Sequence, residues 1–165
     1  TFMKENLEAT PMEVRRANNE AKEKRAKRKR SMLGNICFIG ELYKVHLLKY
    51  SVVHECILKL LGYEMIDKNP IPQQISGQER SLEDEDTLEA LCRFLTTVGR
   101  KMEDEKITIK KRFVAKAHAD QFDFYIGLLR QYSNDKVRFP KSRMRFLMKD
   151  VLCILKRNYN GVKDR

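Results

Sequence analysis

The sequence predicts an all-α protein, an armadillo-like α-solenoid of HEAT-type helical hairpins preceded by a long basic helix. Three observations predict it. Apolar residues recur at three- and four-residue spacing in every hydrophobic run beyond Thr10, and none alternates in the sustained way a strand requires. Helix starts recur at regular spacing, near Ser31, Asp86 and Ser142, as in arrays of paired-helix repeats. The chain has 165 residues, 42% of them hydrophobic, with eight Phe and six Tyr, enough for one domain with a buried core.

Residues 1–10 carry Phe2, Met3 and Leu7, too little apolar surface to bury alone, and are expected to fray or to dock on the body. The repeat domain is expected over 11–160. At Thr10-Pro11-Met12-Glu13 stand an N-cap residue, a proline at the first helical position and a glutamate three residues after the cap. From there to Arg30 glycine is absent and proline does not recur, so the helix is expected to run on into Ser31–Lys49, the longest apolar helical pattern. Within it Leu33, Ile36, Gly40, Tyr43 and Leu47 form one stripe, and Phe38, Leu42 and Val45 a second beside it. A helix with two sides to bury suits a stacked array. Gly34 and Gly40 each cost roughly 1 kcal/mol relative to Ala, which close helix contact would offset.

Ser51 is expected to cap a second helix, Ser51–Leu61, with apolar lines Val52, Cys56, Leu60 and Val53, Ile57, Leu61, and Gly62 to end it. His46 and His54 fall in this hairpin and read as packing or surface residues. The stretch 63–81, with Pro70, Pro72 and Gly77, reads as a loop. Glu83-Asp84-Glu85-Asp86 then opens a helix whose dipole favours carboxylates at that end. Leu88, Leu91, Cys92, Leu95 and Val98 form its stripe, and Gly99 is expected to stop it. Glu103-Asp104-Glu105 opens a return helix, weakly marked by Phe113 and Val114, with a break near His118. Phe122, Ile126 and Leu129 resume a clear period on Asp120–Tyr132. After a loop at Ser133–Lys136 and Phe139-Pro140, the last helix is expected to bury Met144, Leu147, Val151 and Ile154, and Asn160-Gly161 to end it.

The net charge of +11 favours a polyanionic partner, with nucleic acid first. Nine of the basic residues lie between Arg15 and Arg30, against only Glu20 and Glu23. Three readings of that run stand: a solvated helix face, a nuclear-import signal at Lys27-Arg28-Lys29-Arg30, and a phosphate-contacting ridge. On the third, Arg15, Arg16, Lys24, Arg25, Lys27, Arg28, Lys29 and Arg30 bind RNA with little sequence preference, because phosphate contacts position a protein without reading bases. The run lacks the aromatic and leucine face of a membrane-surface helix, and no apolar run approaches the ~20 residues needed to span a bilayer. No membrane partner is expected, and the protein reads as soluble and intracellular. Cys37, Cys56, Cys92 and Cys153 sit in apolar helical runs without metal-site pairing and read as core fillers in a reducing compartment. No phosphate-cradling glycine loop, metal-spaced His and Cys set or nucleophile with an evident base is present. No catalytic residue, metal or cofactor is therefore expected, and the chain does not read as an enzyme.

Three colinear stretches carry a family resemblance. Gly34-Asn35-Ile36-Cys37-Phe38-Ile39-Gly40-Glu41-Leu42-Tyr43-Lys44 closely resembles the middle domain of eukaryotic translation initiation factor four-gamma. The run from Leu88 to Gly99 resembles that family's LECLCRLLTTIG, and Ser142 to Leu152 its SRIRFMLQDVL. The resemblance covers about residues 11 to 159 and matches the C-terminal part of the family's domain, without the two helix pairs that begin it. It implies a cytoplasmic translation-initiation scaffold that binds messenger RNA and a DEAD-box RNA helicase of the initiation factor four-A type. Other initiation factors, including a cap-binding protein, would bind elsewhere in a full-length chain. On positions matching SRIRF, it implies helicase contacts at Arg143, Arg145 and Phe146. Phe146 lies off the expected buried line, and packing on a neighbouring repeat is the competing role. Lys149 stands where the family often has Gln, and the connections near Lys68–Ser81 and Ile107–His118 are longer than the family's. The same repeat also builds modules of nuclear mRNA-processing, splicing and surveillance complexes, the alternative function.

Overall fold

Thr10 and Glu13 close a reciprocal cap: the Thr10 N–H donates to Glu13 Oε2 at 2.8 Å and the Glu13 N–H to the Thr10 hydroxyl at 3.3 Å. With Pro11 in the first turn, this cap starts α1, Pro11–Lys44. The computed structural model describes residues 10–66, 72–79, 81–109 and 116–160. Within them α1 is followed by α2 (Tyr50–Leu61), the two-residue strands β1 (Tyr63–Glu64) and β2 (Gln73–Gln74), α3 (Glu85–Ile109), α4 (Lys116–Asn134) and α5 (Ser142–Asn160). The architecture is all-α and HEAT-like.

α3 is the centre of the array and touches each of the other four helices. Leu88, Leu91, Phe94, Leu95, Val98 and Met102 along it are fully buried, a three-four pattern that serves several neighbours at once. α1 presents Ile36, Gly40 and Tyr43 to it. A Cβ on Gly40 would stand 3.0 Å from Thr97 Cγ2 and 3.2 Å from Val98 Cγ1, so the bare glycine lets the two helices close. Gly34 meets nothing within 4 Å, and there close contact offsets no helix cost. Tyr43 anchors the end of α1: its hydroxyl donates to Glu105 Oε2 at 2.6 Å, and the Lys101 ammonium sits 4.1 Å from its ring centroid. Burial, and then the Glu105 carboxylate, hold this phenol far above its ordinary pKa.

Several expectations are corrected. α1 stops at Lys44 rather than Lys49, because His46 adopts the left-handed conformation at φ 65°. The Leu47 N–H then donates to the Leu42 carbonyl at 2.9 Å and the His46 N–H to Tyr43 at 3.0 Å, closing a Schellman turn without glycine. Leu47 therefore leaves the first stripe. The second stripe is not buried either: Phe38 is 64% exposed and Val45 61%. α2 begins at Tyr50 with Lys49 as a cap that lacks a side-chain bond, so Ser51 is not the cap. Val52 is partly exposed, while Val53, Ile57 and Leu61 are buried. His54 is buried between rings, 6.1 Å from Tyr50 and 5.8 Å from Tyr125, a packing role.

Gly62 ends α2 at φ 80°, and a Cβ there would lie 2.4 Å from the Gln78 carbonyl oxygen. The expected loop over 63–81 holds short elements of its own: β1 and β2 pair antiparallel, with Tyr63 opposite Gln74, and a 3-10 turn follows at Ser81–Glu83. α3 runs straight through Gly99, so no second helix opens at Glu103. Gly99 is a contact rather than a stop, since a Cβ on it would meet Leu155 Cδ2 at 2.5 Å. α3 is described to Ile109 and α4 from Lys116, two residues before His118, while Phe113 and Val114 lie outside the described residues, as do residues 1–9. On α5 the buried line is Met144, Met148, Val151 and Leu155, and Ile154 is 38% exposed. Cys92 is buried, its thiol pushed up to about 12 by desolvation, whereas Cys153 is exposed and fills no core.

Candidate nucleic-acid and protein interfaces

The N-terminal half of α1, from Pro11 to Arg28, is exposed along its whole length, so packing does not decide its side chains there. At roughly 100° per residue, the core-facing positions Met32, Ile36, Gly40 and Tyr43 define one sector, and Arg25 and Lys29 fall within it. Arg16, Lys24, Lys27 and Arg30 gather on the opposite sector. Those four are exposed, and among the described residues their only ion pair is the 3.8 Å contact of Arg16 with Glu20. Arg15 and Arg28 lie between the two sectors and Lys22 falls on the core-facing one with Arg25 and Lys29; Arg15, Lys22 and Arg28 are all exposed.

Arg25 and Lys29 behave differently because the acidic start of α3 lies beneath them. Arg25 Nε stands 3.2 Å from Asp86 Oδ2 and Arg25 Nη2 3.7 Å from Asp84 Oδ1. Lys29 Nζ reaches Asp86 Oδ1 at 3.1 Å and Glu89 Oε2 at 2.7 Å. The Glu89 hydrogen bond, then the Asp86 one, raise the Lys29 pKa, and Lys29 in turn is the largest cause lowering those of Asp86 and Glu89. The expected RNA-contacting set is thus split: an open face, and two cations committed to carboxylates. From the sequence, the helix dipole alone accounts for Glu83–Asp86. Their tertiary partners lie about sixty positions away, which no local spacing reveals.

The three residues expected to hold a helicase are also divided. Phe146 is 61% exposed. Arg145 is half-buried, and its Nη1 donates to the Phe139 carbonyl and, at 2.8 Å, to the Pro140 carbonyl, holding the chain as it enters α5. Arg143 remains 64% exposed at its side chain but pairs with Glu85 at 3.3 Å and approaches Glu89 Oε2 at 4.0 Å. Lys141 joins it, 2.9 Å from Glu85, and is the first cause of that carboxyl's lowered pKa. Glu85, Asp86 and Glu89 therefore form a carboxylate row with α1 cations on one side and α5 cations on the other. Among the described residues no group of three or more His, Cys, Asp or Glu side chains is placed to hold a metal ion, and no helix is long and apolar enough to cross a membrane.

These features define a class, an all-helical repeat scaffold whose charged side chains lie on open surfaces and in surface ion pairs. The MIF4G domain family matches residues 2–158, and the chain belongs to that family. It is 34% identical over 151 residues to eukaryotic translation initiation factor 4 gamma 1 of Oryctolagus cuniculus, covering 92% of this chain and 8% of that protein. It is 35% identical over 144 residues to factor 4 gamma 3 of Mus musculus, covering 87% and 7%. Factor 4G of Cucumis melo is 35% identical over 136 residues, covering 82% and 6%. The chain thus spans less than a tenth of the length of these relatives. No solved structure gives a significant match.

Proposed function

We propose that this domain is a cytoplasmic translation-initiation scaffold module that holds single-stranded RNA on α1 and a DEAD-box helicase at the start of α5. The carrying observation is the open face Arg16, Lys24, Lys27 and Arg30, exposed on the side of α1 opposite the one that α3 engages. Lys24, Lys27 and Arg30 have no ion pair among the described residues and Arg16 only its exposed contact with Glu20, so they give up little beyond water and counterions when a phosphate arrives, which is the source of salt-dependent, sequence-tolerant affinity. The names of the MIF4G relatives support the translational setting. The helicase surface is proposed at Phe146 with Arg143, an exposed aromatic beside an arginine being the composition of an interface anchor. Arg145 supports it by holding the Phe139-Pro140 entry rather than by touching the partner.

A nuclear mRNA-processing module is the second reading, resting on Lys27–Arg30 as an import signal. The helical state of that run and the engagement of Lys29 weigh against it, and cell fractionation decides between the two. Replacing Arg16, Lys24, Lys27 and Arg30 with Ala should flatten the plot of log affinity against log salt by about 0.7 for each phosphate no longer neutralised, without lowering the melting temperature. An unchanged slope on a short oligouridylate would overturn the RNA surface. For the helicase, Phe146→Ala should weaken binding by about 2 kcal/mol at constant melting temperature. A fall in melting temperature with affinity intact would assign Phe146 to packing instead.

A further inference from the structure

The carboxylate row touches both proposed surfaces. Glu89 faces cations from three helices: it pairs closely with Lys29 of α1 at 2.7 Å and Arg93 of α3 at 2.9 Å, and Arg143 of α5 stands in ion-pair range at 4.0 Å. Glu85 holds Lys141 and Arg143, and Asp86 holds Arg25 and Lys29. A carboxylate shared in this way distributes one negative charge among its neighbours, so removing one cation strengthens its hold on the rest. Arg25 and Lys29 are solvent-accessible enough to be won by a phosphate, with side chains 68% and 31% exposed.

We propose that Glu89 couples the two surfaces antagonistically, so that a partner engaging Arg143 lowers the affinity of the α1 ridge for RNA. The inference rests on the RNA reading above. With Arg143 free, Glu89 is partly neutralised from the α5 side, and Lys29 and then Arg25 can turn to a strand already held by the open face. Once Arg143 is withdrawn, Glu89 has only Lys29 and Arg93, Lys29 is kept, and the strand meets fewer cations and a more negative neighbour. By linkage the effect is reciprocal: RNA on Lys29 leaves Glu89 to hold Arg143 more firmly against the partner. Exposed ion pairs of this kind limit the coupling to about two- to fivefold in affinity.

Arg143→Ala mimics withdrawal of the arginine and needs no helicase, which would itself bind RNA. Affinity for a short oligouridylate is titrated against salt for the unsubstituted protein, Glu89→Gln, Arg143→Ala and the double variant. Arg130→Ala, an exposed α4 position, controls for the loss of one positive charge, and a thermal melt confirms that each protein is folded. Glu89→Gln should tighten binding about two- to fivefold and steepen the salt slope by about 0.7 as Lys29 is recruited. Arg143→Ala should weaken binding more than Arg130→Ala when Glu89 is present, and no more than the control in the Glu89→Gln background. Equal effects of Arg143→Ala in both backgrounds, with RNA still bound, would overturn the coupling alone. If the unsubstituted protein bound no oligouridylate, the RNA reading would fail and the coupling with it.

Discussion

The two halves of α1 are one helix under two regimes. From Lys29 to Lys44 the helix is held by α3, with Ile36, Gly40 and Tyr43 buried and Lys29 paired. From Pro11 to Arg28 it is exposed, and its order rests on the Thr10–Glu13 cap, unbroken helix-compatible sequence and continuity with the packed half. In the packed half, side chains are chosen by what they touch. In the open half they are chosen by charge, which leaves that stretch available to a partner.

The sharpest way to break this contrast is at Tyr43. Tyr43→Ala removes a fully buried ring, its bond to Glu105 and its contact with Lys101, and should cost about 3–5 kcal/mol in chemical unfolding. A cost below about 1 kcal/mol would mean that α1 is not anchored by α3. The glycines sharpen the comparison further. Gly40→Leu should destabilise by about 1–3 kcal/mol through overpacking against Thr97 and Val98, and Gly34→Ala, facing open space, should stabilise by about 1 kcal/mol. Equal signs at the two positions in denaturant midpoints would erase the distinction.

The smallest effect concerns the seam between the halves. The carboxyls of Glu85, Asp86 and Glu89 all have lowered pKa values in the folded chain, so their contribution is present above the ordinary carboxylate range and is lost as pH falls through the lowered values. The protection factors of amides around Lys29, measured against the intrinsic exchange rate at each pH, should therefore fall on acidification before those around Tyr43 do. Protection that falls together at both places would show that these ion pairs do not hold the seam.

The start of α1 was legible because cap, proline and glutamate are local chemistry, and so was the Gly62 stop. The end of α1 was not, since His46 takes a left-handed conformation that composition assigns to glycine. Gly99 misled for the converse reason: a glycine signalling a stop is here a close contact with Leu155, known only once α5 is placed. Periodicity marked Phe38, Leu42 and Val45 as apolar but not whether anything covers them. At the candidate interfaces, the excess charge of Arg15–Arg30 was visible in the sequence. Its division by Asp86 and Glu89 was not, because the division depends on which helix lies beneath which.

Gly62 and Gly99 look alike in the chain, yet they differ in what a geneticist would recover from them. A side chain at position 99 collides with the tip of another side chain, so a smaller residue at 155 makes room, and Leu155→Ala is the expected suppressor of Gly99→Ala. A side chain at position 62 collides with the Gln78 carbonyl and forces a left-handed backbone angle as well. No substitution elsewhere moves a main-chain oxygen without moving the loop, so revertants of Gly62→Val should be true revertants. Over a lineage, positions 99 and 155 are therefore expected to change together, and position 62 to change only when the loop that follows it is rebuilt.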